Sequence, residues 1–163
     1  MPVIPNRKVE VEVDPSRRFN KEKLTAGEYL TVMTPWPKKL VPHKHPFKEG
    51  LQTQSWPLRF EECTASGALG RQITLWVECE PSGVIAGTEV GELRWRPLAD
   101  ALELDESDGL DTDELSWSAV IVIVKSKVKA DGSISAWIED FKVATEAQVM
   151  IAGDYLAIAH PGS

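Results

Sequence analysis

The stretch Ser118-Ala-Val-Ile-Val-Ile-Val-Lys-Ser-Lys-Val128, then Lys129-Ala130-Asp131-Gly132-Ser133, then Ile134-Ser-Ala-Trp-Ile-Glu-Asp-Phe-Lys-Val143 decides the fold class. Val and Ile carry two heavy atoms on Cβ, which suits a pleated strand better than a helix. Asp131-Gly132 supplies the positive φ that a tight hairpin needs. The passage therefore predicts two long strands, Ser118 to Val128 and Ile134 to Val143, paired antiparallel.

Upstream the pattern recurs. Tyr29 to Met33, Leu58 to Glu61 and Gln72 to Glu80 read as strands, the last ending at Pro81-Ser82-Gly83. Gly91 to Arg96 reads as another, stopped by Pro97, and Gln148 to Ile158 as a closing strand broken by Gly153-Asp154. Helix is expected only over Leu98 to Leu104, ahead of an acidic loop, Asp105 to Glu114, with six carboxylates in ten positions. That loop is expected to be solvated, since its spacing fails the pattern of a calcium-binding EF-hand. About eight strands with connections too short for βαβ crossovers indicate a mostly β protein. We expect an antiparallel β-sandwich, a jelly roll in preference to an immunoglobulin-like sandwich or another closed barrel, over residues 51–163.

Residues 1–50 differ in kind. They hold seven of the eleven prolines, and proline fixes φ and removes a backbone donor, so helix is nearly excluded there. Ten Lys or Arg stand against six Asp or Glu, a balance of +4, where residues 51–163 hold eight against nineteen, a balance of −11. This is the composition of an extended, Pro-rich, basic arm lying on an acidic surface or a polyanion, with a short alternating strand at Lys8 to Asp14.

With 163 residues, 42% apolar and 26% charged, the chain is long and apolar enough for one ordinary globular core. The longest apolar run, Ala119 to Val124, is six residues where a membrane span needs about 20, so no membrane partner is expected. No apolar leader opens the chain, which suggests synthesis in a reducing compartment. Cys63 and Cys79 match no metal or redox spacing and are expected as small packed side chains on neighbouring strands.

For chemistry the sharpest pattern is His43-x-His45-x-x-x-Glu49, which matches the His-x-His-x-x-x-Glu motif of the cupins and suits a non-haem Fe, Mn or Zn site. The glycines that flank the motif in cupins are replaced here by Pro37 and Trp56. His160, near the C-terminal Gly153-Asp154-Tyr-Leu-Ala-Ile-Ala-His160-Pro161-Gly162, lies far from the pair, whereas cupin motifs sit close together. We therefore expect no metal, no cofactor and no enzyme, with a cupin-like metalloenzyme using His43, His45 and Glu49 as the minority reading. Nucleophile elbows, phosphate loops and His-Glu-x-x-His are absent from the sequence.

The run Glu80-Pro81-Ser82-Gly83-Val-Ile-Ala-Gly87-Thr88-Glu-Val90-Gly91-Glu-Leu-Arg-Trp95 resembles the strand, turn, Gly-Thr, strand passage of single jelly-roll coat proteins of small positive-strand RNA plant viruses. Val120-Ile-Val-Ile-Val, Gly132 and Trp137-Ile-Glu-Asp-Phe141-Lys-Val143 are similar to the last strand pair of that fold. The resemblance implies a capsid subunit, made in the host cytoplasm and resident in the virion, whose partners are copies of itself and the viral nucleic acid. On that reading Arg7, Lys8, Arg17, Arg18, Lys21, Lys23, Lys38 and Lys39 meet phosphates, and such contacts carry no sequence information. Val9, Val11 and Val13 would add a strand to a neighbouring sheet, with Trp36 and Trp56 as further subunit contacts. Such arms are commonly more basic than this one, so protein contacts would dominate the shell. A non-enzymatic β-sandwich binding module and a plant-virus movement protein are the alternatives.

Overall fold

The computed structural model describes residues 20–46, 48–104 and 111–162. The expectations placed on Arg7, Lys8, Val9, Val11, Val13, Arg17 and Arg18 fall outside the described residues, as does the side chain of Lys21. In chain order the elements are β1 (Asn20–Lys23), β2 (Gly27–Met33), β3 (Val41–Lys44), β4 (Gln52–Glu62), β5 (Arg71–Cys79), α1 (Glu89–Ala101), a 3-10 turn (Thr112–Leu115), β6 (Ala119–Val128), β7 (Ile134–Lys142) and α2 (Glu146–Ala159).

The protein is mostly β: one curled, mixed sheet in the order β1-β5-β4-β2-β6-β7, with β3 paired to the outer part of β4. The sheet is not wholly antiparallel, because β1 runs parallel to β5 while every other pair is antiparallel. The hairpin that decided the fold class forms as expected, with Val122 opposite Phe141 and Lys125 opposite Trp137 across a bulge at Ile123/Val124. β2, from the stretch read as an arm, lies at the centre of the sheet between β4 and β6.

Alternation places the core. Val120, Val122 and Val124 of β6 turn inward with Leu58 and Phe60 of β4 and Leu75 and Val77 of β5, all 7% exposed or less. Packed against them from α1 are Trp95, Leu98 and Ala99. Burial of apolar area at about 25 cal/mol per Å² drives this assembly.

Two expected strands are helices. Gly91 to Arg96 belongs to α1, where Gly91, Trp95 and Leu98 recur at spacings of four and three and form one buried stripe. Pro97 sits inside this helix and does not stop it there; it removes the donor that would meet the Leu93 carbonyl. The helix lies so close to β5 that a Cβ on Gly91 would stand 2.0 Å from the Glu78 carbonyl oxygen. Gln148 to Ile158 belongs to α2, opened by a capping box in which Thr145 accepts from the Gln148 backbone and Gln148 accepts from the Thr145 backbone. This helix buries Ala152 and Tyr155 beside Val32 of β2. Val149, Met150, Ile151 and Ile158 remain at least half exposed. Among the described residues no helix is long and apolar enough to cross a membrane.

Candidate nucleic-acid interface

The curl leaves an open seam. Among the described residues β7 pairs only with β6, and β5 is bordered by β4 and, at its first residues, by β1, so these two strands face each other without closing the sheet. Helix α1 floors one end of the gap. A cleft of about 710 Å³ there is lined by His43, Thr74, Trp76, Arg94 and Trp137, with Glu139 and Asp140 also on its wall. It continues past Thr74, Trp76 and Ala136 into a second space of about 290 Å³ between Lys23 and Gln72 on one side and Lys129, Ile134 and Ser135 on the other.

Strand period presents the aromatic rings. On β5 the apolar phase, Leu75 and Val77, goes to the core, so Trp76 shares the outward phase with Thr74 and Glu78. On β7 the partly buried Ala136 and Ile138 pack inward, leaving Trp137 outward and 40% exposed. Its indole N–H donates to Glu139 Oε2 at 3.2 Å. Trp76 stands opposite Pro57 of β4, and His43 opposite Thr53, which holds the His43 carbonyl through a 3.2 Å hydroxyl hydrogen bond. The His43 imidazole lies flat on the Trp76 indole, centroids 4.2 Å apart and planes 4° from parallel. Burial, followed by the positive charge of Arg94, pushes the His43 pKa down, so the ring is neutral at pH 7. Arg94 reaches from α1 and donates from Nη1 to the Trp76 carbonyl at 2.8 Å.

Cations concentrate at the hairpin end. Lys125 is opposite Trp137, Lys127 opposite Ser135, and both are exposed. Lys129 and Lys23 line the narrower space, and exposed Arg59 stands opposite Thr74 on the outer face. Of the cations expected to meet phosphate, Lys23 is at this seam, while Lys38 and Lys39 are exposed in the connection from β2 to β3. Trp36 and Trp56 are half-buried, edge-on to one another at 5.6 Å, and Trp36 meets Trp95 at 5.9 Å. They line a separate pocket of about 530 Å³ beside Gly83, Val84 and Ile85.

The His-x-His-x-x-x-Glu pattern does not assemble into a metal centre. His43 stacks on Trp76, whereas His45 is buried past the end of β3, its Nδ1 accepting the Lys48 N–H at 3.1 Å and its Nε2 3.9 Å from Glu89. Among the described residues no three His, Cys, Asp or Glu side chains are placed to hold a metal.

A second polar cluster lies on the far side of β4. The buried Glu61 carboxylate accepts from Tyr155 and is paired with His160 Nε2, both at 2.5 Å, and accepts from Gln72 at 2.9 Å. Tyr155 in turn accepts the Gly70 N–H at 3.0 Å. Burial, with Glu61 and Glu62 nearby, pushes the Cys63 thiol up to about 12, which keeps it protonated and unreactive. The cluster fastens α2 to the sheet. Cys63 and the buried Cys79 are both free thiols.

No family model, no characterised protein and no solved structure matches the chain. The geometry of the seam therefore carries the functional reading by itself.

Proposed function

We propose that the protein binds single-stranded nucleic acid along the β5–β7 seam, without sequence specificity and without catalysis. The observation that carries this is the pair of outward tryptophans, Trp76 and Trp137, on opposite walls of an open cleft whose far end is lined by Lys23 and Lys129. A groove that tracks the backbone with cations and offers rings for bases to stack on is what single-strand binding requires, because every base has a π-face.

The fold supports the same reading. Five strands in the order β5-β4-β2-β6-β7, with a helix between the third and fourth in sequence, follow the topology of the oligonucleotide-binding barrel, a partly open Greek-key barrel that uses its second and third strands and adjoining loops for ligands. Here those strands are β4 and β5, and the adjoining segments supply His43 and the β6–β7 turn.

The test is fluorescence anisotropy with labelled oligothymidine of about 20 nucleotides at low salt, since such folds cover about 4–16 nucleotides. The full chain should bind it more tightly than a duplex of equal length, and Trp76→Ala and Trp137→Ala should each weaken binding about tenfold with the fold retained by circular dichroism. Absence of binding, or binding indifferent to both substitutions, rejects the proposal.

The shell-subunit reading is favoured by one observation, the exposure among the described residues of Val149, Met150, Ile151 and Ile158 on α2. A jelly-roll coat protein would give uniform particles in negative-stain electron microscopy, abolished or resized by deletion of residues 1–23. A field of small molecules, with strand binding intact, would leave the seam reading alone.

A further inference from the structure

The seam reading leaves one side chain unassigned, and the inference below rests on that reading. His43 covers a face of Trp76 in a parallel stack at 4.2 Å and 4°, and stacking on an aromatic face is also how single-strand binders hold a base. Its ring is half-buried and lines the cleft. Among the described residues neither ring nitrogen has a hydrogen-bond partner, while the backbone on which it rides is fixed by pairing with β4 and by the Thr53 hydroxyl. The charged groups on the same cleft wall are Arg94 from α1 and Glu139 and Asp140 from β7.

We propose that His43 is a direct contact of the bound strand in two ways: its outer face extends the Trp76 platform and takes a base, and a ring nitrogen donates to a phosphate of the same strand. The two roles need different atoms. Stacking uses the ring plane, which Phe would also supply. The hydrogen bond uses an N–H in the plane, which only imidazole supplies, and it becomes charge-assisted when the ring takes up a proton beside the phosphate. An incoming strand then draws a proton to His43 that the free protein does not hold at neutral pH, so binding tightens on acidification.

The experiment is anisotropy with oligothymidine at pH 5.5, 6.5 and 8 on the full chain, His43→Phe and His43→Ala. Between about pH 8 and 5.5 the parent should gain about tenfold in affinity, the worth of one charge-assisted contact. His43→Phe should bind close to the parent at pH 8 and show no such gain, and His43→Ala should be about tenfold weaker than the parent at pH 8, also without the gain, and so about a hundredfold weaker at pH 5.5. Circular dichroism at each pH separates these effects from loss of fold. If the parent binds and Trp76→Ala weakens it, yet His43→Phe keeps the full pH gain or His43→Ala binds like the parent, the inference falls and the seam reading stands. If the parent binds no strand, both fall.

Discussion

Glu61 is the side chain on which most of the buried polar chemistry converges. Its carboxylate is 1% exposed and takes hydrogen bonds from β5 and α2 at once. Removing it strands the buried Tyr155 hydroxyl and the part-buried Gln72 and His160 groups, a buried donor costing about 1–3 kcal/mol when left without a partner and the part-buried ones less. Glu61→Ala should therefore lower the stability by about 3 kcal/mol, read as a fall in the urea midpoint, whereas Tyr155→Phe should cost about half as much. Next to it, the side-chain hydrogen bond from Arg71 holds the Glu62 carboxyl below its ordinary value, with Nε and Nη2 each 2.9 Å from a carboxylate oxygen. The folded state favours the ionised form, so this contribution is complete above pH 4.5 and is lost as pH falls through the lowered value. Urea midpoints of parent and Glu62→Gln should thus differ at pH 7 and converge toward pH 3; a constant gap would assign the difference to something other than the ion pair.

At the scale of elements, strands were legible where a polar phase alternates with an apolar one, as at β5, or where β-branched Val and Ile run together, as at β6. Helix α1 was hidden because Glu-Leu-Arg-Trp-Arg alternates over five residues while its true stripe, Gly91, Trp95 and Leu98, needs a longer window. Helix α2 was hidden because it is apolar nearly all round, with Glu146 and Asp154 its only charges, so no period could emerge. Its Thr145-x-x-Gln148 box was nonetheless written in the sequence. Thr145→Ala should cost about 1 kcal/mol by the same denaturation assay. Gly91→Ala should cost more than the cap, since its Cβ would meet the Glu78 backbone, and a helix-propensity gain instead would show that α1 can draw back from β5. The seam was legible in part: Trp76 and Trp137 occupy the polar phase of their strands, a position where an aromatic ring must face water. What no local pattern could reveal is that β5 and β7, more than fifty residues apart, face one another.

For the whole molecule, the formal charge is −7, and among the described residues Lys23, Lys125, Lys127 and Lys129 stand at the hairpin end of the cleft. Binding then rests on few phosphate contacts. With Lys23, Lys125, Lys127 and Lys129 as the cations at hand, log K should fall against log salt with a slope of about −3, from about −0.7 per phosphate on a single strand. A much steeper slope would bring in cations elsewhere on the chain.

The unclosed sheet has a further consequence for how a polymer can enter. A ring of strands would admit a chain only by its end, as a needle admits thread. A groove that is open along its length takes any internal stretch from the side, so a covalently circular strand should compete as well as a linear one of equal length, and neither terminus should be needed for capture or release.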